Sequence, residues 1–168
     1  GREAGKNITT ASNNTAVGAE ALKLNTTGAG NVAVGANSLQ SNTTASNNTV
    51  VGYNAGSALT TGDNSVAVGR YALKDTTTGS GNVAVGLNSL EENTTGSNNV
   101  SLGTQALESN STASNNVAVG YQALTTNSTG TSNTGVGYYA LGGCTTGSSN
   151  NAFGHTALDA AVTGSYNN

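Results

Sequence analysis

Glu91 and Glu108 are the residues best spaced for acid–base chemistry. They lie 17 residues apart, and if the chain coils with that period their carboxylates stand about 5 Å apart, close to the strand spacing. A carboxylate pair at that separation is typical of a retaining glycosidase. If the chain coils in this way, equivalent positions of successive coils stack in a column. Both glutamates fall in a column of variable, often charged residues, with Glu92 beside them and no apolar pocket to raise the pKa of a carboxyl group. We therefore expect a solvated edge and no enzyme.

Other reactive side chains are few. His155 is the only histidine and Cys144 the only cysteine. Neither stands in a spacing that suits a metal site, and Asp is almost absent from the turns, so the sequence predicts no metal and no cofactor. A single cysteine also excludes an internal disulfide framework. We expect Cys144 to be a small filler in a column otherwise rich in Asn.

An aromatic cluster lies near the C-terminal end. Tyrosine often contacts glycans and proteins because its ring is apolar and its hydroxyl is polar. The candidate surface contacts are Tyr121, Tyr138, Tyr139 and His155. The alternative is a chance exposed patch without a ligand.

A threonine pair recurs along the chain, and its second member is Thr in every copy. A flat Thr array would suit ice binding, but adjacent residues of a strand point to opposite sides. Only one Thr column could then face outward, so ice binding is kept as an alternative. The invariant members are Thr10, Thr27, Thr44, Thr61, Thr78, Thr95, Thr112, Thr129, Thr146 and Thr163.

All of these residues belong to a strict internal repeat. A glycine recurs every 17 residues without insertion or deletion, at Gly1, Gly18, Gly35, Gly52, Gly69, Gly86, Gly103, Gly120, Gly137 and Gly154. A fixed period of this kind indicates stacked structural units. Residues 1–168 are therefore interpreted as a single domain of about ten repeats, cut from a longer fibre.

The amino-acid composition excludes several classes of protein. The chain has 24 Gly, no Pro, 8% charged residues and a net charge of -3. No basic patch suits nucleic acid, and no run of about 18 apolar residues suits a membrane span. Low hydrophobicity can indicate disorder, but disordered chains lack a strict period.

Two β-branched columns alternate with a small-residue column just before each glycine, which is the period-2 pattern of a strand. We predict that the Val side lies inside the coil. The small column, which includes Ala84 and Ala118, would then face outward and pack against another chain. The column before the glycine contains Val17, Val34, Val51, Val68, Val85, Val119 and Val136.

Two further columns complete the repeat. A leucine column forms a second internal or interfacial stripe: Leu22, Leu39, Leu73, Leu90, Leu107, Leu124 and Leu141, broken at Gly5 and Gly56. Turns rich in Gly, Ser and Asn end on a near-invariant asparagine, and stacked Asn side chains can hydrogen-bond along a ladder. That column contains Asn14, Asn31, Asn48, Asn82, Asn99, Asn116 and Asn133, with Ser65 as the exception.

These columns predict an all-β fold, a parallel β-helix or β-roll solenoid in which each 17-residue repeat makes one coil. A helix is excluded because frequent Gly and Asn lower helix propensity and because the apolar spacing does not fit a helical face.

The segment Asn116-Val117-Ala118-Val119-Gly120-Tyr121-Gln122-Ala123-Leu124 carries a resemblance. It is similar to the head repeats of trimeric autotransporter adhesins and looks even more like the repeats of phage tail-fibre proteins, which often end in an endosialidase-type chaperone domain. The resemblance covers nearly the whole chain and implies a left-handed, parallel homotrimer. It also implies a tail fibre in the virion, attached to a host cell-surface glycan or protein. The alternative is a bacterial adhesin or an extracellular filament.

Overall fold

The computed structural model describes residues 1–160 and 163–168. Nine short strands form one parallel sheet in sequence order, and the described residues contain no helix. The strands are β1 Thr15–Val17, β2 Val32–Val34, β3 Thr49–Val51, β4 Val66–Val68, β5 Val83–Val85, β6 Val100–Leu102, β7 Val117–Val119, β8 Thr134–Val136 and β9 Asn151–Phe153.

Each strand pairs with the strand of the next repeat, at equivalent positions. Val83 pairs with Val100, and Val85 pairs with Leu102. The register is the same in the other pairs, so the chain advances one strand spacing, about 4.8 Å, per repeat. The predicted all-β solenoid with one repeat per coil is therefore confirmed.

The glycine that recurs every 17 residues, which we call the marker glycine, is required for two reasons. From Gly18 to Gly154 its φ lies between 126° and 147°, a region that residues with a β-carbon rarely adopt. A β-carbon on Gly86 would also lie 2.5 Å from the carbonyl oxygen of Gly103 in the next coil. The unbroken glycine column therefore reflects both the corner after the strand and the close stacking of coils.

The orientation of the strands is the reverse of the sequence prediction. The central residues, among them Ala84 and Ala118, are fully buried inside the coil, so their expected contact with another chain is wrong. The flanking valines point outward: Val17 is 54% exposed, and Val68 and Val85 are each 37% exposed. The interior is narrow, and a small residue is all that fits opposite the leucine column. A β-carbon on Gly135, for instance, would lie 3.3 Å from Cγ of Leu124.

The leucine column fills the interior at a conformational cost. From Leu22 to Leu158 these leucines have φ between 48° and 54°, the left-handed region that costs an L-residue about 1–2 kcal/mol. Leu22 to Leu141 are fully buried, and burying a leucine contributes about 1.5–3 kcal/mol. Burial therefore offsets the backbone strain, and the stripe is internal.

The asparagine side chains stack in a ladder, but their main hydrogen bonds go to backbone groups and not, as expected, to one another. Asn99 Oδ1 accepts the backbone N–H of Asn116 at 3.0 Å, and Asn99 Nδ2 donates to the carbonyl of Ala113 at 2.9 Å. Asn31, Asn48, Asn82, Asn116 and Asn133 repeat this arrangement and are fully buried. Each side chain thus satisfies backbone groups that have no strand partner in this half of the coil.

A second ladder uses hydroxyl groups. The Ser97 N–H donates to Oγ of Ser114 at 3.0 Å, and Thr77 Oγ1 donates to the carbonyl of Thr94 at 3.0 Å. Both contacts join equivalent positions of neighbouring coils. Outside the strands, neighbouring coils are therefore joined both by backbone hydrogen bonds, such as that from the Leu107 N–H to the Ala123 carbonyl at 3.0 Å, and by Asn, Ser and Thr side chains.

Candidate interaction surface

The outward strand side chains form a continuous face, which we name the strand face. It consists of the first and third residue of each strand and the residue that follows each marker glycine. Several of its apolar members are between 37% and 70% exposed, namely Val17, Tyr53, Val68, Val85, Leu87, Leu102, Tyr121, Tyr138 and Phe153.

Charge is almost absent from the strand face. Along the coils from β1 to β9 it carries Arg70 and His155 as its basic residues and no carboxylate. A mostly apolar, partly exposed face that runs along nine strands is unusual on a soluble monomer and marks a contact surface. The strand face is therefore the strongest candidate for an interaction surface among the described residues.

The C-terminal end of this face carries a stack of rings. The ring centroids of Tyr121 and Tyr138 lie 5.3 Å apart at 14°, and those of Tyr138 and His155 lie 4.9 Å apart at 8°. The structure thus brings these three predicted contact residues together. Tyr139 lies apart from the stack, in the neighbouring column, with its half-buried ring against Gly142.

A second aromatic group was not singled out from the sequence. The rings of Tyr53 and Tyr71 lie 5.8 Å apart, and the guanidinium carbon of Arg70 lies 4.6 Å from the centroid of the Tyr71 ring. The 17-residue step from Tyr53 to Arg70 was a usable signal, because it is the step that relates Tyr121 to Tyr138.

The two glutamates considered for catalysis have other partners. Lys74 Nζ lies 3.1 Å from Glu91 Oε1. Glu108 accepts hydrogen bonds from Asn88 Nδ2 at 3.2 Å and from Gln105 Nε2 at 3.0 Å. No pocket was found along the described chain. These contacts are those of a polar edge, at which the Glu91 side chain is 15% exposed and Glu108 is half-buried.

Ion pairs concentrate at the N-terminal coils. Lys23 Nζ lies 2.8 Å from Glu3 and 3.3 Å from Glu20. Hydrogen bonds from Lys23 and Lys6, with their positive charge, lower the pKa of Glu3 to about 2. These groups lie at the surface, where such pairs contribute little to stability.

The threonine pair lies outside the strands, and one of its two columns is exposed. Thr27, Thr44 and Thr61 are exposed, whereas Thr26 and Thr43 are half-buried and donate their hydroxyls to carbonyls of the next coil. A single outward Thr column is what the sequence predicted.

Sites for modification or metal binding are sparse along the described chain. Asn25, in the sequence Asn25-Thr26-Thr27, is fully buried and donates Nδ2 to the carbonyl of Gly28, so its amide is inaccessible in the folded coil. Cys144 is buried, and desolvation raises the pKa of its thiol.

No group of three or more His, Cys, Asp or Glu residues able to hold a metal occurs in residues 1–160 and 163–168. Nor does this part of the chain contain a helix long and apolar enough to span a membrane.

Comparisons with known proteins add no relative. No family model, curated protein or solved structure matches this chain.

Proposed function

We propose that this chain is a structural or adhesive segment of an extracellular fibre, of the kind found in phage tail fibres that attach to a host cell. The observation that carries the proposal is the strand face, which presents apolar side chains along every coil. Similar apolar side chains recur on this face at each strand spacing along the solenoid axis. A partner with the same axial period could therefore make the same contacts at every coil.

The partner we propose is a second copy of the same chain, aligned in parallel. Two parallel copies share one axial repeat, so each valine of one copy meets an equivalent environment in every coil of the other. A closed ring of identical chains uses the same surface on each subunit and leaves none unpaired. The number three comes from the resemblance to trimeric fibres and adhesins, since the strand face would also suit a dimer.

The stacked rings of Tyr121, Tyr138 and His155 lie in the outermost column of the strand face, after the marker glycines. Left open beside the packed valines, they would supply an adhesive contact for a host glycan or protein. Aromatic faces suit both classes of partner. A bacterial trimeric adhesin or an extracellular filament is the alternative setting, and the sequence that flanks this segment in its gene distinguishes them. A baseplate-attachment region would support the tail fibre, and a coiled-coil stalk with a membrane anchor would support the adhesin.

We propose no catalytic role. Glu91 is paired with Lys74, and Glu108 is held by two amides, so neither has the apolar surroundings that prepare a general acid. We expect Glu91→Gln and Glu108→Gln to leave any glycan degradation by the fibre unchanged. Loss of degradation in either single variant would contradict this part of the proposal.

Charge placed on the strand face tests the lateral role. In a variant carrying Val68→Glu and Leu102→Glu, two carboxylates would enter the interface without partners, which is costly. We expect the assembly to dissociate into monomers, as measured by sedimentation velocity, while the circular dichroism of the β-solenoid is kept.

The matched control carries Thr78→Glu and Thr112→Glu, which adds the same charge to the same two coils at exposed positions. We expect this variant to keep the native assembly. If both double variants sediment like the native chain, the strand face is not the interface.

A further inference from the structure

The group formed by Tyr53, Arg70 and Tyr71 lies at the edge of the strand face, just beyond the marker glycines. Arg70 Nη2 donates a hydrogen bond to the Tyr71 hydroxyl at 3.2 Å, and its guanidinium lies over the Tyr71 ring. Tyr53, from the previous coil, is 49% exposed and tilts at 59° to Tyr71. A charged planar donor group and two aromatic rings therefore meet at one open place.

Arg70 differs from the other basic side chains in its partners. Arg2, Lys6 and Lys23 all pair with Glu3 or Glu20, and Lys74 pairs with Asp75 and Glu91. In the described part of the chain, Arg70 is the one Lys or Arg side chain without an ion pair. Its guanidinium contacts Tyr71 and, among the described residues, has no carboxylate within ion-pair distance.

The turn at Tyr71 is a feature of the repeat. Its φ is 61°, and the equivalent residues of other coils, such as Glu20, Gln105 and Tyr139, have φ of 58°, 57° and 54°. Tyr71 is thus held in the turn that every repeat makes, with its ring under the guanidinium of Arg70.

We infer that Tyr53, Arg70 and Tyr71 form a binding site for a saccharide that carries a carboxylate. The guanidinium holds a carboxylate through two parallel hydrogen bonds, and its remaining N–H groups are available for this. Tyr53 offers an aromatic face for the apolar side of a sugar ring. Tyr53 and Arg70 lie in the outermost column of the strand face, after the marker glycines, beside the valines that we propose pack against other copies. Binding at this site therefore requires that this column stays open in the fibre, where it adds a ligand class to the lateral packing.

Saturation-transfer NMR with a galacturonate oligosaccharide tests the site. The methyl-esterified form of the same oligosaccharide is the matched neutral probe, and acetate and inorganic sulfate are the matched simple anions. We expect saturation transfer from tyrosine to the ring protons of the carboxylated probe. The esterified probe and the simple anions should each bind at least tenfold more weakly.

Arg70→Gln should lower the affinity for the carboxylated probe at least tenfold, and Tyr53→Ala should remove most of the saturation transfer. Arg2→Gln is the control, because Arg2 occupies the equivalent column and pairs with Glu20; it should bind like the native chain. Sedimentation of Arg70→Gln should stay native, which separates loss of this site from loss of the assembly.

Three results would overturn the inference. The first is no detectable binding of the carboxylated probe at millimolar concentration. The second is equal binding of the esterified probe, which would indicate an aromatic contact alone. The third is equal loss of affinity in Arg2→Gln and Arg70→Gln, which would indicate attraction to general positive charge.

Discussion

Val50 fills the space that a leucine side chain would take at position 56. A β-carbon on Gly56 would lie 3.5 Å from Cγ2 of Val50. In the neighbouring coils the same two places hold Ala33 with Leu39 and Ala67 with Leu73. The break in the leucine column is therefore matched by a larger residue in the strand. Leu59, fully buried where the neighbouring coils have Asn42 and Thr76, adds a second large apolar side chain to this coil.

The Val50–Gly56 pair predicts strong coupling between two substitutions. Val50→Ala alone leaves a cavity, and Gly56→Leu alone overpacks the coil, each at a cost of about 1–3 kcal/mol. The double variant restores the pair found in other coils, so it should be more stable than either single variant, with a coupling of about 1–3 kcal/mol. Urea unfolding of the four proteins measures this. Additive effects would show that the two side chains do not share a space.

The asparagine ladder predicts a graded response at Asn99. Asn99→Ala leaves the Asn116 N–H buried without a partner, at about 1–3 kcal/mol. It also removes one of the two hydrogen bonds to the Ala113 carbonyl, which keeps the bond from Asn110 Nδ2 at 3.1 Å. Asn99→Ser keeps an acceptor for the next coil, as Ser65 does for the Asn82 N–H at 3.2 Å. We expect Asn99→Ser to lose about half as much stability as Asn99→Ala in urea unfolding. Equal losses would mean that the ladder hydrogen bonds contribute little.

The register predicts which deletions the chain tolerates. Removing residues 86–102 takes out one whole coil and leaves every column aligned, so we expect a shorter folded rod by circular dichroism and small-angle scattering. Removing residues 86–93 shifts the later columns and places apolar side chains on the wrong face, so we expect loss of the fold beyond that point. A partial deletion as stable as the whole-repeat deletion would contradict one coil per repeat.

The period of the sequence was enough to predict the register and the polar ladder. Glycines at 17-residue steps define the coil, and identical residues must then stack. Asn99 and Asn116 could be placed in one ladder because only their spacing mattered. The stacking of Tyr121, Tyr138 and His155 follows from the same rule.

The direction of the strand side chains could not be obtained from the period. Alternation shows that Val83 and Ala84 point to opposite sides but not which side is inside. The general preference for burying larger residues favoured the valines. In the structure Leu90 and the Asn column already occupy the interior, so only Ala84 fits there and the valines face outward.

The Tyr53–Arg70–Tyr71 group was missed for a related reason. Its members belong to two columns, and the contact of Arg70 with Tyr71 runs between those columns. Contacts within one column follow from the repeat, whereas contacts between columns depend on the local turn. Sequence spacing alone does not give that turn.

Sedimentation equilibrium of the unmodified segment at micromolar concentration is the most direct test of the central claim, that the strand face is covered by other copies of the chain. The chain mass is 16.4 kDa. We predict one species with three times that mass. A species with twice that mass would keep the strand face as the interface and change only the number of chains. A monodisperse monomer would contradict the claim.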